Sequence, residues 1–126
     1  MEEMRNEEIK SLVGCTPVEL AEAIAEILDN KKGNDVKVIA VGDKTIIADY
    51  FVLATGNTNT HVRALADEVE FKIGERGVEP IRHEGRQGNS WRVLDYASVI
   101  VHVFDREARD FYKLDKLYTD WYTLHK

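Results

Sequence analysis

The sequence predicts an α/β fold, a single domain in which a mixed β-sheet is flanked by helices. Three observations carry this. Apolar residues recur at helical spacing in some segments and in short β-branched runs in others, in the order α-β-β-α-β-β-β-α. Glycines or polar clusters punctuate most of the boundaries between them. The 126 residues, 44% hydrophobic and 32% charged, suit one globular domain and leave little room for a second.

The first helix opens at Thr16-Pro17-Val18-Glu19, with Thr as N-cap, Pro at the first helical position and Glu completing a capping box. Leu20, Ile24, Ile27 and Leu28 follow at helical spacing, and Gly33 is expected to cap the end. Val36–Val41 reads as a strand, and Gly42-Asp43-Lys44 turns the chain. Tyr50–Thr55 is a second strand, apolar almost throughout, which predicts burial on both faces in mid-sheet. Asn57, Thr58, Asn59 and Thr60 offer N-caps for the next helix, whose face is Val62, Leu65, Ala66, Val69 and Ile73 and whose end is Gly77. Phe71 lies opposite that face. After Pro80, Glu79–Glu84 is expected as a strand and Gly85–Asn89 as a loop. Trp91–Leu94 and Val99–Phe104 form a hairpin around Asp95-Tyr96-Ala97-Ser98. Asp105 then caps a last helix with Phe111, Leu114, Leu117, Tyr118 and Trp121 on its apolar side. Residues 1–15 are expected to be a flexible N-terminal segment, 16–121 the domain and 122–126 a C-terminal tail.

Composition excludes several functions. The longest apolar runs, such as Val99–Val101, are too short to span a bilayer, and the charged first ten residues do not read as a signal peptide. The lone Cys15 has no partner for a disulfide or a metal site. A soluble, cytoplasmic protein that takes no cofactor is expected. The net charge of −6 disfavours a grip on bare nucleic acid, which needs a basic surface, and suits a basic protein partner.

The search for catalytic chemistry finds little. Gly56-Asn57-Thr58-Asn59 follows a strand and opens a helix, so its amides could hold an anion, but no phosphate-loop spacing occurs. His61, His83, His102 and His125 fall at no zinc-ligand spacing, and His102 among valines reads as a core histidine. Asp43, Asp49 and Asp95 are scattered beside turns instead of paired on one strand face. No nucleophile sits beside a base. Large aromatics instead concentrate in the last third of the chain, at Trp91, Tyr96, Phe104, Phe111, Tyr112, Tyr118, Trp121 and Tyr122. Strand alternation puts Trp91, Val93 and Asp95 on one face and Arg92 and Leu94 on the other. Trp beside Asp suits a surface for a basic partner; equally, Trp91 packs under a helix while Asp95 opens the turn.

The run Ile47-Ala48-Asp49-Tyr50-Phe51-Val52-Leu53-Ala54-Thr55-Gly56-Asn57, then His61-Val62 and Ala64-Leu65-Ala66, resembles the signature of the ribosomal silencing factor, or Iojap-like, family. Glu84-Gly85, Trp91, Leu94-Asp95-Tyr96, Val99–Phe104, Arg109 and Phe111-Tyr112-Lys113-Leu114 extend the resemblance over residues 16–121. The chain departs from it at Ala97-Ser98, where the family usually has Gly-Asp, so the hairpin loop is expected not to need positive φ. The resemblance implies a nucleotidyltransferase-like fold without the catalytic carboxylate pair. It further implies a non-enzymatic factor that binds the large ribosomal subunit through ribosomal protein L fourteen. Bound there, such a factor blocks the small subunit and represses translation under nutrient limitation. Trp91 and Asp95 are the first candidates for that interface, with Tyr96, Asp49, Tyr50 and Glu84 behind them. Arg109 and Tyr112 either join them or hold the last helix to the sheet. Phe71 suggests a homodimer when the protein is free. The rival reading is a nucleotidyltransferase-like enzyme acting on a nucleotide or RNA, which rests on fold analogy. Direct RNA binding would need a basic stripe that the sequence does not supply.

Overall fold

The computed structural model describes residues 10–86 and 90–112. Helix α1 is Pro17–Asn30, strand β1 Asn34–Ala40, β2 Tyr50–Gly56, helix α2 Asn59–Glu75, β3 Arg82–Arg86, β4 Trp91–Asp95, β5 Val99–Asp105 and α3 Arg106–Tyr112. The five strands form one sheet in the order β1-β2-β5-β4-β3, with β2 and β5 parallel and every other pair antiparallel. The parallel pair is central, and Phe51–Gly56 are all buried, as the unbroken apolar run requires.

Strand alternation divides the interior into two cores. On one face Val52, Ala54, Leu94, Val99, Val101 and Val103 pack against Leu20, Ile24 and Leu28 of α1 and Val62, Leu65, Val69 and Ile73 of α2. On the other, Phe51, Leu53, Trp91, Val93, Ile100 and Phe104 meet Val41 and Ala48 of the β1–β2 connection and Ala108 of α3. Long helices thus cover the first face, while α3 and the connection cover the second.

The helix starts follow the local chemistry. Thr16 and Glu19 form the reciprocal capping box ahead of Pro17. Thr58 is the N-cap of α2, its hydroxyl accepting from the His61 amide. Asp105 Oδ1 accepts the Ala108 amide at 2.8 Å and opens α3. Gly56 permits β2 to run into α2, because a Cβ there would lie 2.7 Å from the Val62 nitrogen. Gly77 ends α2 with φ +95.

Several expectations need correction. The left-handed residue after α1 is Lys32, at φ 68, and Gly33 follows it, donating to the Leu28 carbonyl at 2.8 Å. Strand β1 begins two residues earlier than expected, through a bulge at Asp35 with φ 49. It ends at Ala40, where the Val41 amide turns to the Asp49 carbonyl. Strand β3 lies at Arg82–Arg86 and takes in Gly85, because Pro80 lacks the N–H a ladder needs and pairing begins beyond it. The hairpin loop does use positive φ: Ala97 sits at φ 71 despite its Cβ. Of the segment expected to be flexible, residues 10–15 are tied down. Leu12 is buried and donates to the Arg76 carbonyl, while Arg76 Nε donates to the Lys10 carbonyl. Leu114, Leu117, Tyr118, Trp121, the 122–126 tail and the Phe111 side chain lie outside the described residues.

Candidate functional site

The β4–β5 turn builds one end of the sheet. Asp95 Oδ1 accepts the Ala97 amide at 2.8 Å, and the Ser98 carbonyl accepts the amides of Asp49 and Tyr50 at 2.8 and 3.1 Å. The turn carrying Asp95 is therefore stapled to the start of β2, and sequence-distant Asp49, Tyr50, Asp95 and Tyr96 converge there. Asp49 is exposed, and Tyr50 and Asp95 are half-buried. Across the ladder Arg82 faces Asp95, with Nε 3.9 Å from Oδ2, and Arg82 Nη1 lies 3.9 Å from Glu84 Oε1. Glu84, Arg82 and Asp95 thus form a charged row on the same sheet face as Val93, loosely paired and open to solvent.

The other two candidates are not on that surface. Trp91 lies at the far end of β4, about 13 Å from Asp95 at about 3.3 Å per residue, and is only 7% exposed. It pairs across the ladder with Phe104, and its indole N–H donates to His102 Nδ1 at 3.1 Å. His102 in turn meets the Phe51 ring edge-on at 4.9 Å. The expectation of an exposed Trp91 anchor gives way to a Trp packed in the second core. Tyr96 is 6% exposed and lies in the first core, against the helices. Its hydroxyl finds no hydrogen-bond partner among the described residues. Burial, with Glu70 and Glu79 nearby, holds its ionisation well above the ordinary tyrosine range, so the phenol stays neutral. Tyr50 also packs toward the helices. The six candidates therefore split between two faces, and the carboxylates that solvent reaches are exposed Asp49 and half-buried Glu84 and Asp95.

Other residues that stood out in the sequence have structural work. In the Gly56–Asn59 turn the Asn57 amide donates to His61 Nδ1 at 2.9 Å, and Asn34 Nδ2 donates to Asn57 Oδ1 at 2.8 Å. His83 Nδ1 meets Glu70 Oε1 at 2.6 Å, joining β3 to α2. Arg109 is 3% exposed; its Nη1 donates to the Asp35 carbonyl and the Thr55 hydroxyl, and its guanidinium lies over the Phe104 ring, which locks α3 to the sheet. Arg106 pairs with the Asp35 carboxylate and holds its pKa below the usual range. Among the described residues no group of three His, Cys, Asp or Glu converges as a metal site, and no helix is long and apolar enough to cross a membrane.

The sequence reading gives Ile46 no role and takes Ile47 only as the start of the signature run. Both stand exposed on the β1–β2 connection next to Asp49. The one available signal is two adjacent isoleucines between the Gly42-Asp43-Lys44 turn and the strand at Tyr50, which apolar periodicity does not flag.

Comparison with known proteins agrees with this architecture. Residues 15–125 match the family described as "Ribosomal silencing factor during starvation". A ribosomal silencing factor of Halalkalibacterium halodurans is 34% identical over 102 residues, covering 81% of this chain and 87% of the relative. One from Haemophilus influenzae is 35% identical over 99 residues, covering 79% and 97%. A crystal structure of a Chromobacterium violaceum protein superposes with a TM-score of 0.78 at 31% identity, covering 82% of this chain and 87% of that one.

Proposed function

The chain belongs to the ribosomal silencing factor family, and from that membership we propose that it binds the large ribosomal subunit and prevents the small subunit from joining. Contact runs through ribosomal protein L fourteen, and the outcome is lowered translation in the cytoplasm when nutrients are scarce. The function is occlusion, not catalysis: the domain need only cover an intersubunit surface tightly enough to compete with the opposing subunit. The observation that carries this reading is the sheet end where Asp49, Asp95 and Glu84 present carboxylates on a chain of net charge −6. Such a surface attracts a basic protein and repels bare phosphate.

Within this reading Trp91 acts from beneath, keeping β4 and β5 in register so that Asp95 is held in place. Tyr96 and Tyr50 brace the turn from the helix side. Phe71, 60% exposed on α2, is the contact through which the free protein pairs as a homodimer; light scattering on wild type and Phe71→Glu checks it, and equal masses refute it. The interface is tested by co-sedimentation with purified large subunits. Asp49→Ala/Asp95→Ala should weaken binding about tenfold, about 1.4 kcal/mol, with a shallower dependence on salt. Unchanged affinity in the folded double variant would remove these acids from the interface.

A further inference from the structure

We infer that Ile46 and Ile47 form a preorganised apolar knob that inserts into a basic protein surface on the partner. The inference rests on the proposed ribosome-binding reading and adds the residues that supply its apolar grip.

Ile46 is fully exposed and Ile47 is 66% exposed, although this is a short connection between two paired strands. Isolated exposed isoleucines are ordinary, but two adjacent ones at a loop tip form a contiguous apolar surface that water does not favour. The loop beneath them is not loose. Its base is closed by the Val41 and Gly42 amides, which both donate to the Asp49 carbonyl at 2.9 and 3.2 Å. Inside it, the Val41 carbonyl accepts the amides of Lys44 and Thr45, and the Ile47 amide donates to Thr45 Oγ1. Val41 and Ala48, at its two ends, are buried in the second core. Rigid ends and an internally bonded backbone hold the isoleucines outward before any partner arrives, so little ordering entropy opposes insertion.

Charge selects the occupant. Asp43 and Asp49 flank the tip, and Asp49 donates its amide to the turn that carries Asp95. The ammonium of Lys44 is directed back to the Ala40 carbonyl at 2.9 Å. An apolar tip between Asp43 and Asp49 on a chain of charge −6 is disfavoured at an anionic lipid surface or RNA phosphate, and suits a hydrophobic depression bordered by lysine or arginine. The loop lies over the same sheet face as the acidic row, since Val41 and Ala48 share the core of Val93 on the face that bears Glu84 and Asp95.

The test compares wild type, Ile46→Ser/Ile47→Ser and Ile46→Val/Ile47→Val for binding to purified large ribosomal subunits, with thermal melts on each. The serine pair should melt like wild type, because both side chains are exposed, yet bind at least about tenfold more weakly. The valine pair should recover most of the affinity. Their losses should persist at high salt, unlike that of Asp49→Ala/Asp95→Ala, since buried apolar area is not screened. A serine pair that binds as wild type would overturn the knob and leave the ribosomal reading intact. Absence of wild-type binding would overturn both. Binding of wild type, but not the serine pair, to anionic vesicles with equal binding of both to subunits would reassign the tip to lipid.

Discussion

Replacing Trp91 by alanine separates a core residue from a surface anchor. The side chain is 7% exposed, faces Phe104 across the ladder with ring centroids 5.7 Å apart, and donates its N–H to His102 Nδ1 at 3.1 Å. Truncating a buried aromatic to alanine costs about 3–5 kcal/mol, through lost transfer energy and the cavity left behind. Removing the indole donor adds about 1 kcal/mol. Trp91→Ala should therefore lose about 4–6 kcal/mol, a large share of the roughly 5–15 kcal/mol that holds a domain together. At this chain length that lowers the melting temperature by about 15–20 °C. Trp91→Phe keeps much of the packing, loses the hydrogen bond, and should fall between. The assay is calorimetry or circular dichroism on all three proteins, with a binding isotherm below the lowest transition. Wild-type melting of Trp91→Ala together with weakened subunit binding would refute the core assignment.

Further outcomes follow from particular residues. Ala97 at φ 71 and Lys32 at φ 68 both strain an L side chain, so Ala97→Gly and Lys32→Gly should each stabilise by about 1 kcal/mol in urea titrations; destabilisation by either would contradict the backbone described. The neutral form of Tyr96 is favoured by the fold, so its stabilisation is complete below the unfolded tyrosine value of about 10 and lost as pH rises beyond it. Tyr96→Phe, which also removes a buried hydroxyl lacking a partner, should flatten that alkaline loss and be neutral or stabilising at pH 7. Arg106 holds the Asp35 pKa down, so this pair contributes above the unfolded aspartate value of about 4 and is lost as pH falls through the folded one. Amide protection factors in α3, taken relative to intrinsic exchange at each pH, should fall in acid for wild type and be less pH-dependent for Asp35→Asn.

The fold was legible wherever one local rule governed. The Thr16–Glu19 capping box, the unbroken apolar run of β2 and Gly77 each state their structure directly. Reading failed where a long-range contact overrode local preference. Ala97 takes a left-handed conformation in a turn whose Ala97 amide is held by Asp95 Oδ1 and which is stapled to Asp49 and Tyr50, and that staple is not visible in four adjacent letters. Strand β3 absorbed Gly85 because β4 supplied ladder partners. For the site, alternation correctly placed Trp91, Val93 and Asp95 on one face. Alternation names the face without saying what covers it, and here the second core, with Ala108 of α3, closes over the Trp91 end. The exposure of the isoleucine pair is not legible in the sequence, because exposure belongs to tertiary structure, not to spacing.

The central claim is occlusion, and subunit joining measures it directly. Purified large subunits are incubated with the protein, small subunits are added, and formation of whole ribosomes is followed by light scattering and gradient sedimentation. The account predicts that joining falls in proportion to the fraction of large subunits carrying the protein, and that Ile46→Ser/Ile47→Ser and Asp49→Ala/Asp95→Ala restore it. Full joining on large subunits saturated with the protein would contradict the account.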